Sequence, residues 1–250
     1  AWVGLASGIR KSFLAACHSE ALLRFGQAGR HERQTAVDKE QSKITHDIQA
    51  GFYSLNPNLS HGVEHTRRAF RNAETGRTVR YEAADAASAW GWEGVDQISI
   101  DELHAWRDES FYEAVTSTVA KLQDCRLFVF TNAGATTDGI YSRAKRRALE
   151  SNRWFVFCPQ DAELDRLPAP WRNAEEITEL QQSMPAHVFA RLFRNVDTAS
   201  SGGFLLPEQV EACTDPMLNP VEIRPGDCWS VALGIDLGLK RDASALAVVG

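Results

Sequence analysis

The sequence predicts an α/β domain with a mainly parallel sheet, followed by a linker and the first strands of a second domain. Short apolar runs alternate with segments of helical periodicity, which is typical of a parallel sheet with crossover helices. After about residue 160 this alternation gives way to segments that contain proline and glycine, ending in Ser-Ser-Gly-Gly at 200–203. Two further apolar runs then close the sequence, as in a β-hairpin.

The predicted elements follow one another along the whole chain. Strands are expected at 2–3, 34–37, 79–82, 97–100, 127–130 and 154–157. Helices are expected at 12–25, 39–54, 110–121, 139–151 and 175–183. The closing hairpin is predicted at 229–235 and 243–249. We therefore expect a first domain over 1–165, a linker subdomain over 166–226 and the start of a second domain at 227–250.

Composition sets the broad class of protein. With 44% hydrophobic and 24% charged residues, the chain can bury a globular core. No apolar run is long enough to span a membrane and no signal peptide is recognisable, so a cytosolic protein is expected. The five cysteines form no CxxC pair, which favours reduced thiols over a zinc ribbon or disulfide framework. A strand-like segment begins at Ala1, so we expect a fragment of a longer protein.

Net charge limits how the chain can meet nucleic acid. The formal charge is −6 at pH 7, so the overall field does not attract a polyanion. Contact with nucleic acid must then come from local basic runs, and Arg67-Arg68 and 145–147 are the candidates. Solvated surface positions are the alternative for both runs.

Two adjacent carboxylates, Asp101 and Glu102, follow the apolar strand pattern at 97–100. Because the carboxyl end of a parallel strand opens onto the ligand crevice of an α/β sheet, Asp101 could bind Mg²⁺, directly or through water. Glu102 could activate the attacking water, and phosphoryl transfer needs both roles. The alternative is an Asp-Glu pair that caps the following helix.

A glycine-containing turn precedes the first predicted helix, where residues 4–12 read GLASGIRKS. A phosphate-binding loop needs glycines that let consecutive N–H groups face the phosphates, a lysine for the β/γ oxygens and Ser or Thr for the metal. Lys11 and Ser12 fit the last two roles, and Gly8 and Arg10 are the further cofactor-binding candidates of this loop. Leu5 and Arg10 stand where the GxxxxGK[ST] pattern has glycine, so the alternative is an ordinary helix start.

The order of the two motifs is more informative than either alone. A loop and helix at the front, followed about ninety residues later by a strand ending in Asp-Glu, is typical of a P-loop ATPase. The strand at 127–130 leads into Thr131 and Asn132, which are suited to sensing a γ-phosphate. A simple turn at the strand exit is the alternative. The fold class is thus a P-loop NTPase domain with a mainly parallel sheet.

Several strings resemble the phage large terminase family, in the family's order: AVDKEQSKI, LNPNL, IDELHAW, TNAG and GIDLGLKRDASALAVV. The resemblance covers essentially the whole chain. It implies an ATPase domain followed by a linker and an RNase H-like, metal-dependent endonuclease. Asp101 and Glu102 then take the Walker B and catalytic carboxylate roles, and residues 131–134 form the ATPase coupling motif.

The same resemblance assigns the remaining site residues. Asp236 becomes the first catalytic, metal-binding carboxylate of the nuclease, with Asp242 as a second candidate and the other carboxylates beyond Gly250. Gln41 is expected to help hold the nucleotide, and a solvated helix position is its alternative. An arginine finger is also expected, for which Arg10, Arg77 and Arg80 are candidates.

The implied cofactors are ATP and Mg²⁺, with Mg²⁺ or Mn²⁺ for the nuclease. The implied partners are double-stranded DNA, a portal protein and a small terminase subunit, with a homo-oligomeric ring as the active form and no membrane. The expected location is the host cell cytoplasm, at the procapsid portal during packaging. Two other functions stay open: a helicase-like P-loop ATPase without nuclease, and a DNA- or capsid-binding remnant without ATPase activity.

Overall fold

The computed structural model of the chain describes residues 1–84, 89–107, 109–122, 124–134, 139–167 and 169–198, together with Ala212 and the two strands Ala232–Asp236 and Ala245–Val249. Contacts divide the chain into two compact units, Ala1–Gly203 and Phe204–Gly250. Each unit is described by itself. Among the described residues, no helix has the length and apolarity needed to cross a membrane.

The first unit is built on an eight-stranded mixed sheet in the order β3-β4-β5-β2-β6-β7-β1-β8. Six of the strands, from β5 to β8 in this order, run parallel to one another, and β3 and β4 form an antiparallel hairpin at the edge beside β5, to which β4 is also antiparallel. The strands are β1 (Trp2–Gly4), β2 (His31–Ala36), β3 (Val63–Thr66), β4 (Ala69–Asn72), β5 (Thr78–Ala83), β6 (Val95–Asp101), β7 (Arg126–Thr131) and β8 (Val156–Phe157).

Helices connect the parallel strands and cover the sheet. They are α1 (Lys11–Phe25), α2 (Lys39–Leu55), α3 (Pro57–Ser60), α4 (Glu109–Lys121), α5 (Ile140–Glu150), α6 (Ala162–Asp165), α7 (Ala174–Ser183) and α8 (Ala186–Phe193), with a 3₁₀ turn at Leu103–Ala105. The main core lies where β6 and β7 meet α4 and α5, and Ile98, Ile100 and Phe111 are fully buried there. Burial of these large apolar side chains is the main force that fixes the sheet against its helices.

The mixed α/β fold with a mostly parallel sheet confirms the coarse fold prediction. All six predicted strands of the first unit are present, although β2 begins three residues before the predicted 34 and β8 is limited to two residues. The β3–β4 hairpin and α8 were not predicted. Only Phe70 in the hairpin is buried, so the apolar alternation that reveals a strand is missing there.

The second unit contains a two-stranded antiparallel sheet, β9 (Ala232–Asp236) and β10 (Ala245–Val249). Ala245 is paired with Asp236 and Val249 with Ala232, as the predicted closing hairpin requires. Residues 229–231, Asp242 and most of the predicted linker beyond 198 lie outside the described residues. The predicted domain boundaries at 165 and 226 therefore stay predictions.

Candidate nucleotide site

Three neighbouring parallel strands end at one edge of the sheet, with β7 between β1 and β6. The carboxyl ends of parallel strands form the usual ligand crevice of such a sheet. The loop after β1, the Asp101–Glu102 pair after β6 and the Thr131–Asn132 pair after β7 therefore meet there. The backbone locks the arrangement, because Glu102 N–H donates to Phe130 O at 2.8 Å and Leu5 N–H donates to Thr131 O at 2.9 Å.

The loop between β1 and α1 enters the helix through two residues with left-handed backbone. Gly8 has a φ of 79° and Arg10 a φ of 59°, both in the left-handed region. Within the described part of the chain, no side chain caps the first turn of α1. N–H groups at a helix N-terminus that lack a side-chain partner, together with the helix dipole, favour a bound phosphate. Arg10 adopts the conformation expected of a glycine at this position.

Lys11 is the centre of the polar contacts in the site. Its ammonium lies 3.3 Å from Glu102 Oε1 and also donates to Asn132 Oδ1. Only 6% of the lysine is exposed, so both acceptors replace water around a buried charge. Lys11, Glu102 and Asn132 come from three different elements, and the fold brings them together as the sequence motifs predicted.

Asp101 is buried beside Glu102, and its carboxylate is poorly satisfied. Thr45 donates to its Oδ2 at 3.4 Å, while no partner within the described residues reaches the buried Oδ1. Burial, and then the neighbouring charge of Glu102, raises the pKa of Asp101 to about 6. A buried carboxylate oxygen that lacks a partner favours a bound cation.

Glu102 combines an uncommon backbone conformation with an ionised carboxylate. Its φ of 52° is in the left-handed region, which is uncommon for a non-glycine residue and is often found at active sites. His104 Nδ1 lies 3.1 Å from Glu102 Oε2. Burial raises the pKa of Glu102, but His104 and Lys11 outweigh it, and the net pKa is lowered. Glu102 is therefore charged at neutral pH.

Thr131 and Asn132 have different positions in the site. Asn132 faces Lys11 directly, whereas Thr131 is fully buried and accepts from the His104 N–H at 3.1 Å. Thr131 thus links the end of β7 to the turn that carries Glu102. Because Thr131 is buried, it could sense a phosphate only indirectly, through Asn132 or His104.

An open cleft of about 450 Å³ lies beside these groups. The residues that line it are Ser7, Gly8, Arg10, Lys11, Ser12, Phe13, Ile48 and Glu102. This volume falls in the usual range for a small-molecule site, which is roughly 300–1,000 Å³. Gln41 is not among the lining residues; it lies in the first turn of α2, where its N–H donates to Asp38. Its predicted role stays a prediction.

The described residues of the segment 159–198 contact the loop between β1 and α1. Leu192 O accepts from Ser7 N–H at 2.6 Å, and Trp171 Nε1 donates to Gly8 O at 2.8 Å. The Arg10 guanidinium lies 4.6 Å from the centre of the Trp171 ring, within cation–π range. The buried Asn195 donates to Gly4 O at 3.0 Å. The loop between β1 and α1 is thus held by hydrogen bonds with residues of the predicted linker segment, 166–226.

Arg77 is wrong as an arginine-finger candidate. Its side chain is fully buried and makes two bonds to Asp96, at 2.8 and 2.9 Å. An arginine finger must reach the phosphates of a nucleotide, in its own subunit or in a neighbouring one, which a fully buried bidentate pair prevents. Arg80 and Arg10 are exposed and remain candidates. Lys145 is likewise no DNA contact, because it is buried against Asp197.

Sequence reasoning missed His104, Thr45 and the loop contacts of Trp171. His104 stands in the quoted IDELHAW string, so its nearness to Glu102 was a usable signal. The contacts of Leu192 and Ser7 involve only backbone atoms, which leave no trace in residue identity. Thr45 reaches Asp101 across 56 positions, a separation that only the fold reveals.

The donors present suit Mg²⁺ in part. Asp101 offers a buried oxygen without a partner, and Ser12 offers a hydroxyl in the first turn of α1. In the described part of the chain, no group of three or more His, Cys, Asp or Glu residues could hold a metal by itself. Mg²⁺ sites in nucleotide enzymes need only one or two such groups, since waters and substrate phosphates complete the shell. For Asp236, only the backbone of β9 is described.

Comparisons with known proteins agree on the fold. No family model matches the sequence, and no curated protein matches it. Among solved structures, the large terminase of bacteriophage HK97 superposes with a TM-score of 0.66 at 19% identity, covering 100% of this chain and 56% of that one. The chain thus spans about half the length of that protein.

Two further structures give the same result. The large terminase ATPase domain of Thermus phage P74-26 has a TM-score of 0.56 at 15% identity, covering 78% of this chain and 88% of that domain. The large terminase of a thermophilic bacteriophage in complex with ADP has a TM-score of 0.56 at 10% identity, covering 79% and 47%. The first unit therefore has the fold of the ATPase domain of phage large terminases.

Proposed function

We propose that the chain carries the ATP-hydrolysing motor of a phage large terminase subunit. The observation that supports this most directly is the meeting of Lys11, Glu102 and Asn132 beside the 450 Å³ cleft. A buried lysine, a charged glutamate and an amide at the ends of three parallel strands are the groups that ATP hydrolysis requires. The shared fold and the ADP complex of one similar structure support the same conclusion.

Each residue has a distinct role in the proposed reaction. The first-turn N–H groups of α1 and the Lys11 ammonium bind the phosphates and neutralise their charge. Ser12 and Asp101 hold Mg²⁺, which would polarise the phosphoryl oxygens when bound. Lys11 turns from Glu102 to the nucleotide, and the freed Glu102 carboxylate orients the attacking water and accepts its proton. Asn132 senses the change at Lys11.

ATP binding and turnover by the whole chain test this proposal. Lys11→Ala is expected to abolish binding, because the other cation that lines the described cleft, Arg10, rests on Trp171 and does not replace the buried ammonium. Glu102→Gln should retain binding and lose turnover, since the amide cannot accept the proton of water. Lys43→Ala is the matched control, because Lys43 is an exposed lysine on α2. Unchanged binding in Lys11→Ala would refute the nucleotide site.

The motor function implies double-stranded DNA as the cargo, together with the portal protein, the small subunit and a homo-oligomeric ring in the host cytoplasm. Arg67 and Arg68 support a DNA contact, because they form the exposed tip of the β3–β4 hairpin. They line a groove of about 720 Å³ whose other charged residues are Lys39, Glu40, Lys43, Asp47 and Glu82. Neither arginine has a salt bridge within the described residues. Phosphate oxygens of a DNA backbone fit such free cations.

The hairpin β9–β10 is proposed as the start of an RNase H-like endonuclease in the parent protein, with Asp236 as its first metal-binding carboxylate. The antiparallel pairing that begins at Asp236 and Ala245 supports this proposal. A longer chain that continues past Gly250 should cleave DNA with Mg²⁺ or Mn²⁺ and lose cleavage on Asp236→Asn. Cleavage that survives this substitution would refute the assignment.

A further inference from the structure

A carboxylate far along the sequence grips the end of the coupling segment 131–134. Asp197 Oδ1 accepts from Tyr141 Oη at 2.6 Å and from Gly134 N–H at 3.3 Å, and its Oδ2 accepts from Lys145 Nζ at 2.6 Å. The three donors belong to the exit of β7 and to α5. Lys145 is 9% exposed and Asp197 23%, so this is a largely buried charge pair with hydrogen bonds on both oxygens.

Both backbone polar groups of Gly134 are hydrogen-bonded to the segment 197–198. While Asp197 accepts from its N–H, Gly134 O accepts from Thr198 N–H at 3.2 Å. A Cβ on Gly134 would lie 2.5 Å from the Tyr141 ring, so the backbone runs directly against that ring. Only glycine permits this close approach. The path of the chain after Asn132 is therefore fixed by Asp197 and its partners.

That path decides where Asn132 points. Asn132 is two residues before Gly134, and its Oδ1 accepts from the buried Lys11. Thr131, one residue earlier, is tied to the turn that holds Glu102 through His104. A shift of Gly134 would consequently move the partner of Lys11, while Thr131 stays anchored.

We propose that Asp197 is a positioning residue that, through Gly134, holds Asn132 against Lys11. This inference rests on the proposed function for its role in turnover, but its geometric part does not. The Lys145–Asp197 pair is not a distant brace, because the same carboxylate bonds to the coupling segment itself.

The side-chain amide signals of Asn132 in ¹H–¹⁵N spectra of the whole chain test the geometric part. Asp197→Asn should move these signals, because the loss of the charge pair with Lys145 loosens the grip on Gly134. Asp165→Asn is the matched control, since Asp165 forms an exposed pair with Arg194 in the same C-terminal segment. The control should leave the Asn132 signals in place. Unmoved Asn132 signals in a folded Asp197→Asn variant would overturn the inference.

Tyr141→Phe provides a second variant if Asp197→Asn does not fold, because it removes one hydrogen bond to Asp197 and keeps the aromatic ring against Gly134. It should also move the Asn132 signals, by a smaller amount, and their constancy would equally overturn the inference.

Turnover tests the functional part of the inference. For ATP hydrolysis, kcat of Asp197→Asn should fall on the order of tenfold to a hundredfold, as for a small misplacement of a reacting group, while KM stays within about twofold. A rise in KM with unchanged kcat would overturn the positioning role. Absence of ATP binding by the native chain, with the Asn132 shift intact, would instead refute the proposed function alone.

Discussion

Glu32 is a fully buried carboxyl near the start of β2, and its replacement by glutamine gives a quantitative test of the fold. Its Oε1 accepts from Ser19 at 3.0 Å, Ser99 at 2.9 Å and Gln97 at 3.1 Å, whereas Oε2 has no partner among the described residues. Burial raises the pKa of Glu32 from 4.5 to about 7, against the opposing effect of these hydrogen bonds. Below about pH 7 the folded chain therefore holds Glu32 mainly in its protonated form.

The size of the effect follows from linkage. A pKa raised on folding means that the stability contributed by Glu32 is fully present below pH 4.5 and is lost as the pH rises through 7. At about 1.4 kcal/mol per pKa unit, the difference between the pKa of 4.5 and the folded-state pKa of about 7 corresponds to roughly 3 kcal/mol of unfolding free energy. Glu32→Gln keeps the shape and the acceptor oxygen but cannot ionise. We therefore expect the variant to gain about 3 kcal/mol over the native chain between pH 4.5 and 8.

Urea unfolding at pH 5, 6, 7 and 8, followed by tryptophan fluorescence, measures this gain for both chains. The buried Trp2 and Trp92 report on the same unit. Glu113→Gln, at an exposed position on α4, is the control and should show no difference that grows with pH. A stability difference between Glu32→Gln and the native chain that is constant from pH 5 to 8 would refute the reasoning, because it would mean that Glu32 ionises alike in both states.

Three further predictions concern the site and its surroundings. Because burial and the charge of Glu102 raise the pKa of Asp101 to about 6, Mg²⁺-dependent ATP binding should be present above that pH and decline as the pH falls through it, and titrations from pH 5 to 8 should lose this step in Asp101→Asn. Arg10→Gly relieves a left-handed backbone worth about 1 kcal/mol and loses a cation–π contact of similar size, so its unfolding free energy should stay within about 1 kcal/mol of native. Arg10→Val, with a β-branched side chain at the same φ, should be clearly less stable in the same urea titration. Arg67→Ala and Arg68→Ala should each reduce the slope of log K against log salt concentration for duplex-DNA binding by about 0.9. Arg153→Ala, at an exposed position between α5 and β8, is the control and should leave the slope unchanged. Equal slopes in all variants would contradict the proposed contact.

The strands that carry the site could be predicted because their signals are local. The apolar run before Asp101 is buried and the run before Thr131 is buried in its second half, and the chemistry-bearing residues come directly after them. Strand order could not be read from these runs. The placement of β7 between β1 and β6, which sets Asn132 beside Lys11, depends on packing between segments more than a hundred residues apart.

Residues whose role depends on a distant partner were the ones misjudged. Arg77 looks like any exposed arginine in sequence, and only its pairing with Asp96 on β6 shows that it is a buried structural residue. Lys145 stands in a basic run, yet Asp197 removes it from the surface. In both cases the error came from reading charge as exposure, which fails when a carboxylate 19 or 52 positions away supplies the counter-charge.

In the loop between β1 and α1, the two residues that depart from the GxxxxGK[ST] pattern are weak evidence against a phosphate site. Leu5 stands at the first glycine position, but its N–H continues the ladder to Thr131 and its side chain is buried with Val3, Ala15 and Phe130. Arg10 stands at the second, yet its backbone takes the left-handed turn that glycine would take, and its side chain rests on Trp171. What a phosphate requires is the direction of consecutive N–H groups, and glycine is one way to obtain it. Here Trp171 beside the loop packs against Arg10, which keeps the left-handed backbone that leads into α1 without a glycine.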